Sequence, residues 1–368
     1  MPRPTAADYL RELVAMPTHQ RAPDGSIGNE RALCEHLAPL LRARGADEVI
    51  VADATRSDGT AGAYVFARWG TPRRVINAHV DTVPPNRGWT RDPWTPAIVS
   101  SPAGDQLYGL GSADTKGAIA ATLVALDRGA PRDRGVLFSG DEEAGSAVMH
   151  EFLASDHARA IREVIVCEPT ARRAGVAHRG VIAQRARLAG EGGHSSLADR
   201  MPRPIAQLAR LAVALDDLGR AHVSTGPAGM TGLCLNLAGL TGGVAFNVIP
   251  ASAELEWSLR PYPGFDRAWW DREVAAAARA ADAGIVVETT IDHAPFGCDK
   301  LADLVRPFAR ELGTVDFWTE AALLQHHGID AIVIGPGDIA LAHAADEHVP
   351  VADLEWAVEL FSSILSAP

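Results

Sequence analysis

The chain has 368 residues, 47% of them hydrophobic and 22% charged, which excludes a disordered or fibrous protein. At the usual ~100–200 residues per domain there is room for two domains, a sizeable core and a smaller one. Asp and Glu number 46 against 34 Lys and Arg, a net charge of −12 with no basic block, which argues against a nucleic-acid or membrane-surface partner.

Cys34, Cys167, Cys234 and Cys298 are scattered and form no CxxC pair. They read as buried small hydrophobes in a reducing compartment, neither a disulfide framework nor a thiolate metal site. The start, Met1-Pro2-Arg3-Pro4-Thr5, lacks the apolar segment of a signal peptide. The longest helix-like apolar stretch, Gly117 to Leu126, is far below the roughly 20 residues that cross a bilayer. A cytoplasmic protein is expected.

In chain order, a helical pattern runs over Asn29–Arg42 and ends at Gly45. Short apolar, β-branched runs follow at Ala63–Ala67 and Val75–Ala78, each the length of a buried strand. A helix over Thr115–Asp127 ends at Gly129; then come a strand at Val136–Phe138, a helix at Ser146–Leu153 and a strand at Val164–Cys167. Strands alternating with helices indicate an α/β layer on a mostly parallel sheet.

From about Val176 the texture changes. Gly180–Ala189 alternates like a half-exposed strand, and Pro204–Leu218 is an amphipathic helix. Leu233–Leu240 and Ala251–Leu259 read as strands, Phe265–Ala281 as a helix and Ile285–Ile291 as a last strand. This βαββαβ order fits an α+β unit, residues 176–293, inserted into a larger α/β domain made of 1–175 and 294–368. After Ala294 the α/β character returns, with Thr319 as a helix N-cap, Gly328 as its stop and a strand at Ala331–Ile334.

The acids and histidines fall in informative places. The run Val75–Ala78 ends in His79-Val80-Asp81, Val136–Phe138 ends in Ser139-Gly140-Asp141-Glu142-Glu143, and Val164–Cys167 ends in Glu168-Pro169. Three strands thus terminate in potential metal ligands at their carboxyl ends, the edge where parallel sheets leave a crevice for ligands. Asp114 opens a helix after Gly109-Leu110-Gly111-Ser112-Ala113 and has the same edge within reach. Singly these signals are weak. A lone strand-end histidine is more often a satisfied turn residue, an acidic triplet is usually a solvated cap, and Asp114 alone is as much a helix cap as a ligand. Glu168 is harder to dismiss, because an unpaired buried carboxylate is costly. Their convergence on one edge is what argues for metal.

Imidazole and carboxylate suit zinc and similar ions, and one carboxylate can bridge two of them. A pair of such ions makes water acidic enough to attack at neutral pH and polarises a scissile carbonyl. A further carboxylate must move the proton, and Glu142-Glu143 supplies two adjacent acids that can divide these tasks.

The motifs His79-Val80-Asp81-Thr82-Val83-Pro84, Gly109-x-Gly111-x-x-Asp114-x-Lys116-Gly117, Asp141-Glu142-Glu143-x-Gly145-Ser146 and Glu168-Pro169-Thr170 resemble the dizinc aminoacylase and carboxypeptidase family. That family includes acetylornithine deacetylase and succinyl-diaminopimelate desuccinylase. The likeness covers nearly the whole chain. Val315-Asp316-Phe317-Trp318-Thr319-Glu320-Ala321 and Gly335-Pro336-Gly337-Asp338-Ile339-Ala340-x-Ala342-His343 look most like its acetylornithine and acetylcitrulline deacetylase branch.

The resemblance implies two divalent metal ions, zinc first with cobalt or manganese open. His79 and Glu168 then hold one, Glu143 and His343 the other, and Asp114 bridges them. Glu142 is the general acid/base, and Asp81 orients His79. The inserted unit is implied to be a lid that also makes a homodimer. Its His194 would stabilise the developing oxyanion in a neighbouring subunit, and Asn247 and Arg260 would hold the substrate carboxylate. His326 and His327 read as helix-end residues, and His178, at the domain junction, is left open between hinge and substrate side. His36, His150, His157, His222, His293 and His348 have no converging partners in sequence.

The expected activity is hydrolysis of a small N-acyl amino acid, N-acetylornithine or N-acetylcitrulline in arginine biosynthesis. A desuccinylase, a small-peptide carboxypeptidase or an aminoacylase is the alternative within the same chemistry. A non-catalytic metal-binding scaffold is the alternative of another class, and Glu142 argues against it. A mononuclear lyase or isomerase has no motif of its own here.

Overall fold

A computed structural model describes residues 3–102, 104–129 and 131–367. The chain divides into two units: Met1–Val176 with Cys298–Val315 and Thr319–Pro368, and Ala177–Gly297 with Asp316–Trp318.

The larger unit is organised around one sheet. Its strands lie in the order Glu48–Thr55, Ala61–Trp69, Arg134–Ser139, Arg74–His79, Glu163–Val166, Asp330–Val333, Ala174–His178. The middle four, from Arg134–Ser139 to Asp330–Val333, are parallel to one another. Arg134–Ser139 is buried along its whole length and Arg74–His79 at every residue but the first, as strands covered on both faces must be. The Ala61–Trp69 strand is also buried through its centre, yet it runs antiparallel to its neighbours on both sides. An apolar run reports burial on two faces and carries no information about strand direction.

Helices Ala6–Val14, Lys116–Leu126 and Val351–Ser366 pack together within one apolar core that includes Leu10, Ile119, Leu123, Leu354 and Phe361. Lys116–Leu126 is buried nearly all round, which its Ala- and Leu-rich sequence allows. The short helix of the C-terminal part is Ala321–His326 with Glu320 at its cap position, so Thr319 stands one residue before the cap. A separate antiparallel sheet joins Ala97–Ser101, Gly104–Tyr108 and His348–Pro350.

In the smaller unit the order is strand Val181–Ala189, helix Pro204–Ala221, strands Asn236–Gly242 and Ser252–Leu259, helix Arg267–Ala281, strand Val286–His293. Those four strands form an antiparallel sheet. Ser252–Leu259 alternates between outward positions, exposed at Ser252 and half-buried beyond it, and buried ones, and the helices cover the face that carries Ala253, Leu255, Trp257 and Leu259. Gln184 Oε1 accepts from the indole nitrogens of both Trp257 (3.2 Å) and Trp270 (2.8 Å), which satisfies two buried donors with one acceptor. The cysteines are unpaired; Cys34 and Cys167 are buried, whereas Cys234 is exposed. No described helix is long and apolar enough to cross a membrane.

Candidate metal centre

The parallel strands of the larger unit end in register. His79 lies opposite Ser139, and Asn77 lies opposite both Leu137 and Val166. His79, the Gly140–Glu143 turn and Glu168 therefore leave the sheet side by side at its carboxyl edge. Gly335 follows the next strand, and a Cβ there would stand 2.7 Å from the Glu168 carbonyl oxygen, so only glycine lets the two chain segments approach.

Ligand-type atoms of His79, Asp114 and Glu143 all lie within 4.8 Å of one another, and so do those of His79, Glu142 and Glu168. Asp114 stands between two imidazoles. Its Oδ1 is 2.9 Å from His79 Nε2 and its Oδ2 is 3.5 Å from His343 Nε2. His343 Nε2 is also 2.8 Å from Glu143. The seven residues His79, Asp81, Asp114, Glu142, Glu143, Glu168 and His343 thus meet at one place. His194, Asn247 and Arg260 belong to the smaller unit. There His194 is exposed with Nδ1 2.8 Å from Ser196 Oγ, Asn247 accepts from the Ser195 amide through its carbonyl, and Arg260 is exposed at a strand end.

Asp81 organises the turn. Its carboxylate accepts the amide N–H of Glu142 (3.2 Å) on Oδ1 and that of Glu143 (3.1 Å) on Oδ2. The His79 ring contacts the Asp81 carbonyl at 2.9 Å through Nδ1, which leaves Nε2 turned to Asp114. Gln20 Nε2 donates to Asp81 Oδ2 at 2.6 Å. Thr115 Oγ1 accepts from the His79 amide and donates to its carbonyl. Asp141 and Ser146, on either side of the turn, and His343 itself have positive φ, a conformation that costs on the order of 1 kcal/mol or more per non-glycine residue.

Residues 75–367 match the peptidase family M20/M25/M40. The chain is 36% identical to N-acetyl-L-citrulline deacetylase of Xanthomonas campestris pv. campestris over 98% of its own length and 97% of that protein. It is 30% identical to acetylornithine deacetylase of Proteus mirabilis, covering 98% and 96%. The M20 family metallo-carboxypeptidase Sso-CP2 from Sulfolobus solfataricus superposes with a TM-score of 0.74 at 16% identity, over 99% of both chains.

The chain belongs to peptidase family M20/M25/M40.

As an M20 protein it is a dinuclear metal-dependent amidohydrolase, and the residues present fit metal. Two imidazoles lie among Asp114, Glu143 and Glu168 in a cluster where carboxylates outnumber cations. Without an ion the cluster is electrostatically frustrated. Burial and the neighbouring Glu168 hold the Glu142 carboxyl well above the usual range. Burial likewise raises Glu168, and burial with Asp114 raises Glu143. For His79 burial opposes charge, but the Asp114 and Asp81 carboxylates outweigh it and the imidazole is raised. Glu143 pushes His343 up to about 9. Donor atoms of this kind suit divalent cations, whose charge would favour the ionised carboxylates.

Two residues near this M20 site escape sequence reading. Gln20 sits in Thr18-His19-Gln20, a segment without a chemical motif. Glu320 is 1% exposed, with Oε2 3.2 Å from Ser139 Oγ and no hydrogen-bond partner for Oε1 among the described residues. Its position beside the helix start resembles an ordinary cap in sequence. His178 is buried with Nδ1 2.9 Å from the Arg179 carbonyl and its ring against Phe296 and Trp318.

Proposed function

We propose that this M20 enzyme hydrolyses the amide of a small N-acetylated amino acid, N-acetylcitrulline or N-acetylornithine, as a zinc-dependent cytoplasmic homodimer. The observation that carries the reading is Asp114 with its two oxygens turned to His79 and His343, beside a Glu142-Glu143 pair. The names of the relatives that align end to end supply the substrate class.

In this reading His79 and Glu168 would hold one ion, Glu143 and His343 the other, and Asp114 would serve both. When bound, the ions supply a lowered water pKa and a polarised acyl carbonyl. Glu142 accepts the attacking water's proton on its carboxylate and delivers it to the departing amide nitrogen. Its main-chain N–H is pinned by Asp81, so the carboxylate swings from a fixed base. Asp81 and Gln20 keep Glu143 and the His79 ring in their ligating positions. His194 serves as the oxyanion donor to a neighbouring subunit, and Asn247 and Arg260 receive the substrate carboxylate.

The test is a metal-supplemented assay against N-acetylcitrulline, N-acetylornithine, N-succinyl-diaminopimelate and dipeptides. One of the first two is expected to give the highest kcat/KM. A preference for the succinyl compound or a dipeptide rejects the substrate assignment.

A further inference from the structure

The loop that carries Asp114 is held by a side chain outside the set described above. Glu347 is 1% exposed, and its carboxylate accepts three main-chain N–H groups. Oε2 takes Gly111 at 3.0 Å, while Oε1 takes Ala113 at 2.9 Å and Asp114 at 3.1 Å. The Glu347 carbonyl accepts a fourth, from Gly109 at 2.9 Å. Gly111 has φ +82, and a Cβ there would meet Thr82 Cγ2 at 2.8 Å, so the loop takes this path on glycine alone.

Glu347 is itself anchored on both sides. The next residue, His348, pairs with Tyr108 in the sheet that leads into the loop. The preceding residue, Asp346, accepts from the Thr90 amide (2.9 Å) and hydroxyl (2.7 Å). Four positions before Glu347 in the chain is His343, whose Nε2 faces Asp114 Oδ2. One short segment therefore presents an imidazole to Asp114 and grips the main chain of that same residue. Lys116 is also fully buried nearby; burial lowers its ammonium to about 7, and the Glu347 charge opposes that fall.

We propose that Glu347 is a positioning residue of the metal centre, setting Asp114 relative to His343 by clamping the Gly111–Asp114 main chain. The proposal rests on the reading of Asp114 and His343 as ligands. Removal of the clamp lets Asp114 move away from one imidazole, and metal held by both weakens. A merely structural role, in which Glu347 only satisfies buried amides, would lower the melting temperature of the metal-free protein and leave metal retention unchanged.

The experiment is chelator competition on the zinc-loaded full chain, wild type against Glu347→Gln and Glu347→Asp, with the cobalt(II) visible spectrum as a reporter of coordination. Glu347→Gln keeps shape and loses charge; Glu347→Asp keeps charge and loses reach. Both are expected to release zinc about 10–100-fold more readily, the usual effect of removing a partner that orients a ligand, and to change the cobalt band intensity. A wild-type competition curve and spectrum in either folded variant overturns the proposal. Failure of both variants to fold, with or without zinc, also overturns it in favour of the structural role. A wild type that holds no zinc would instead overturn the ligand reading beneath it.

Discussion

His343 Nε2 lies 2.8 Å from Glu143 Oε2, although 200 positions of sequence separate the two residues. The imidazole side chain is half exposed while the Glu143 side chain is buried, so the contact closes the outer side of the acid cluster. On the proposed assignment, His343, Glu143 and Asp114 would share one cation. His343→Ala should therefore fold and lower bound metal from two equivalents to about one, with a large loss of kcat. Metal analysis after exhaustive dialysis decides it, and two equivalents retained in the variant would remove His343 from the ligand set.

Among the described residues Glu142, like Glu168, has no imidazole at hydrogen-bond distance, while its neighbour Glu143 is bonded to His343. Glu142→Gln should keep both metals and the fold while losing about 10²–10⁴-fold in kcat, the usual range for a proton-transfer group. Turnover close to wild type with full metal content would assign the proton transfer to another group.

The cluster of acids and histidines was legible in sequence because several of its members end apolar runs. His79, Glu142, Glu143 and Glu168 each follow a buried strand, and strand ends of a parallel sheet share an edge. His343 was reached through resemblance, since it lies in a loop with no periodic signal. Gln20 and Glu347 were not legible. Their work is to hold loops, Gln20 by donating one hydrogen bond and Glu347 by accepting three, and nothing in Thr18-His19-Gln20 or Asp346-Glu347-His348 distinguishes such a residue from a solvated one. The same limit applied to the Ala61–Trp69 strand, whose burial was evident and whose antiparallel direction was not.

Gln20 Nε2 meets Asp81 Oδ2, the same oxygen that accepts the Glu143 amide. With Gln20→Leu the carboxylate keeps its charge but loses one of the donors that fix its plane, so His79 and the Glu142-Glu143 turn gain freedom. A loss of about 10-fold in kcat with little change in KM is expected, at the low end for partners that orient ligands. Steady-state kinetics on the metal-loaded enzyme separate the two. A change in KM alone would place Gln20 at the substrate instead.

Glu320 gives the metal-free protein a pH dependence with a definite sign. Burial is the main cause that pushes its carboxyl up to about 8; His79 opposes, and Asp81 adds to the rise. The folded value lies above the ordinary 4.5, so the folded state holds this proton where the unfolded chain has released it. The associated stability is complete below about 4.5 and disappears as pH rises through about 8. Glu30 and Glu347, also raised to about 8, contribute to the same trend in the wild type, so a difference between proteins is the informative quantity. Glu320→Gln is neutral at every pH and keeps the shape. In chelator, its melting temperature relative to wild type should rise by a few degrees between about pH 5 and about pH 8.5. Differential scanning calorimetry at the two pH values measures the gap, and a gap of equal size at both would show that Glu320 is ionised in the folded protein throughout.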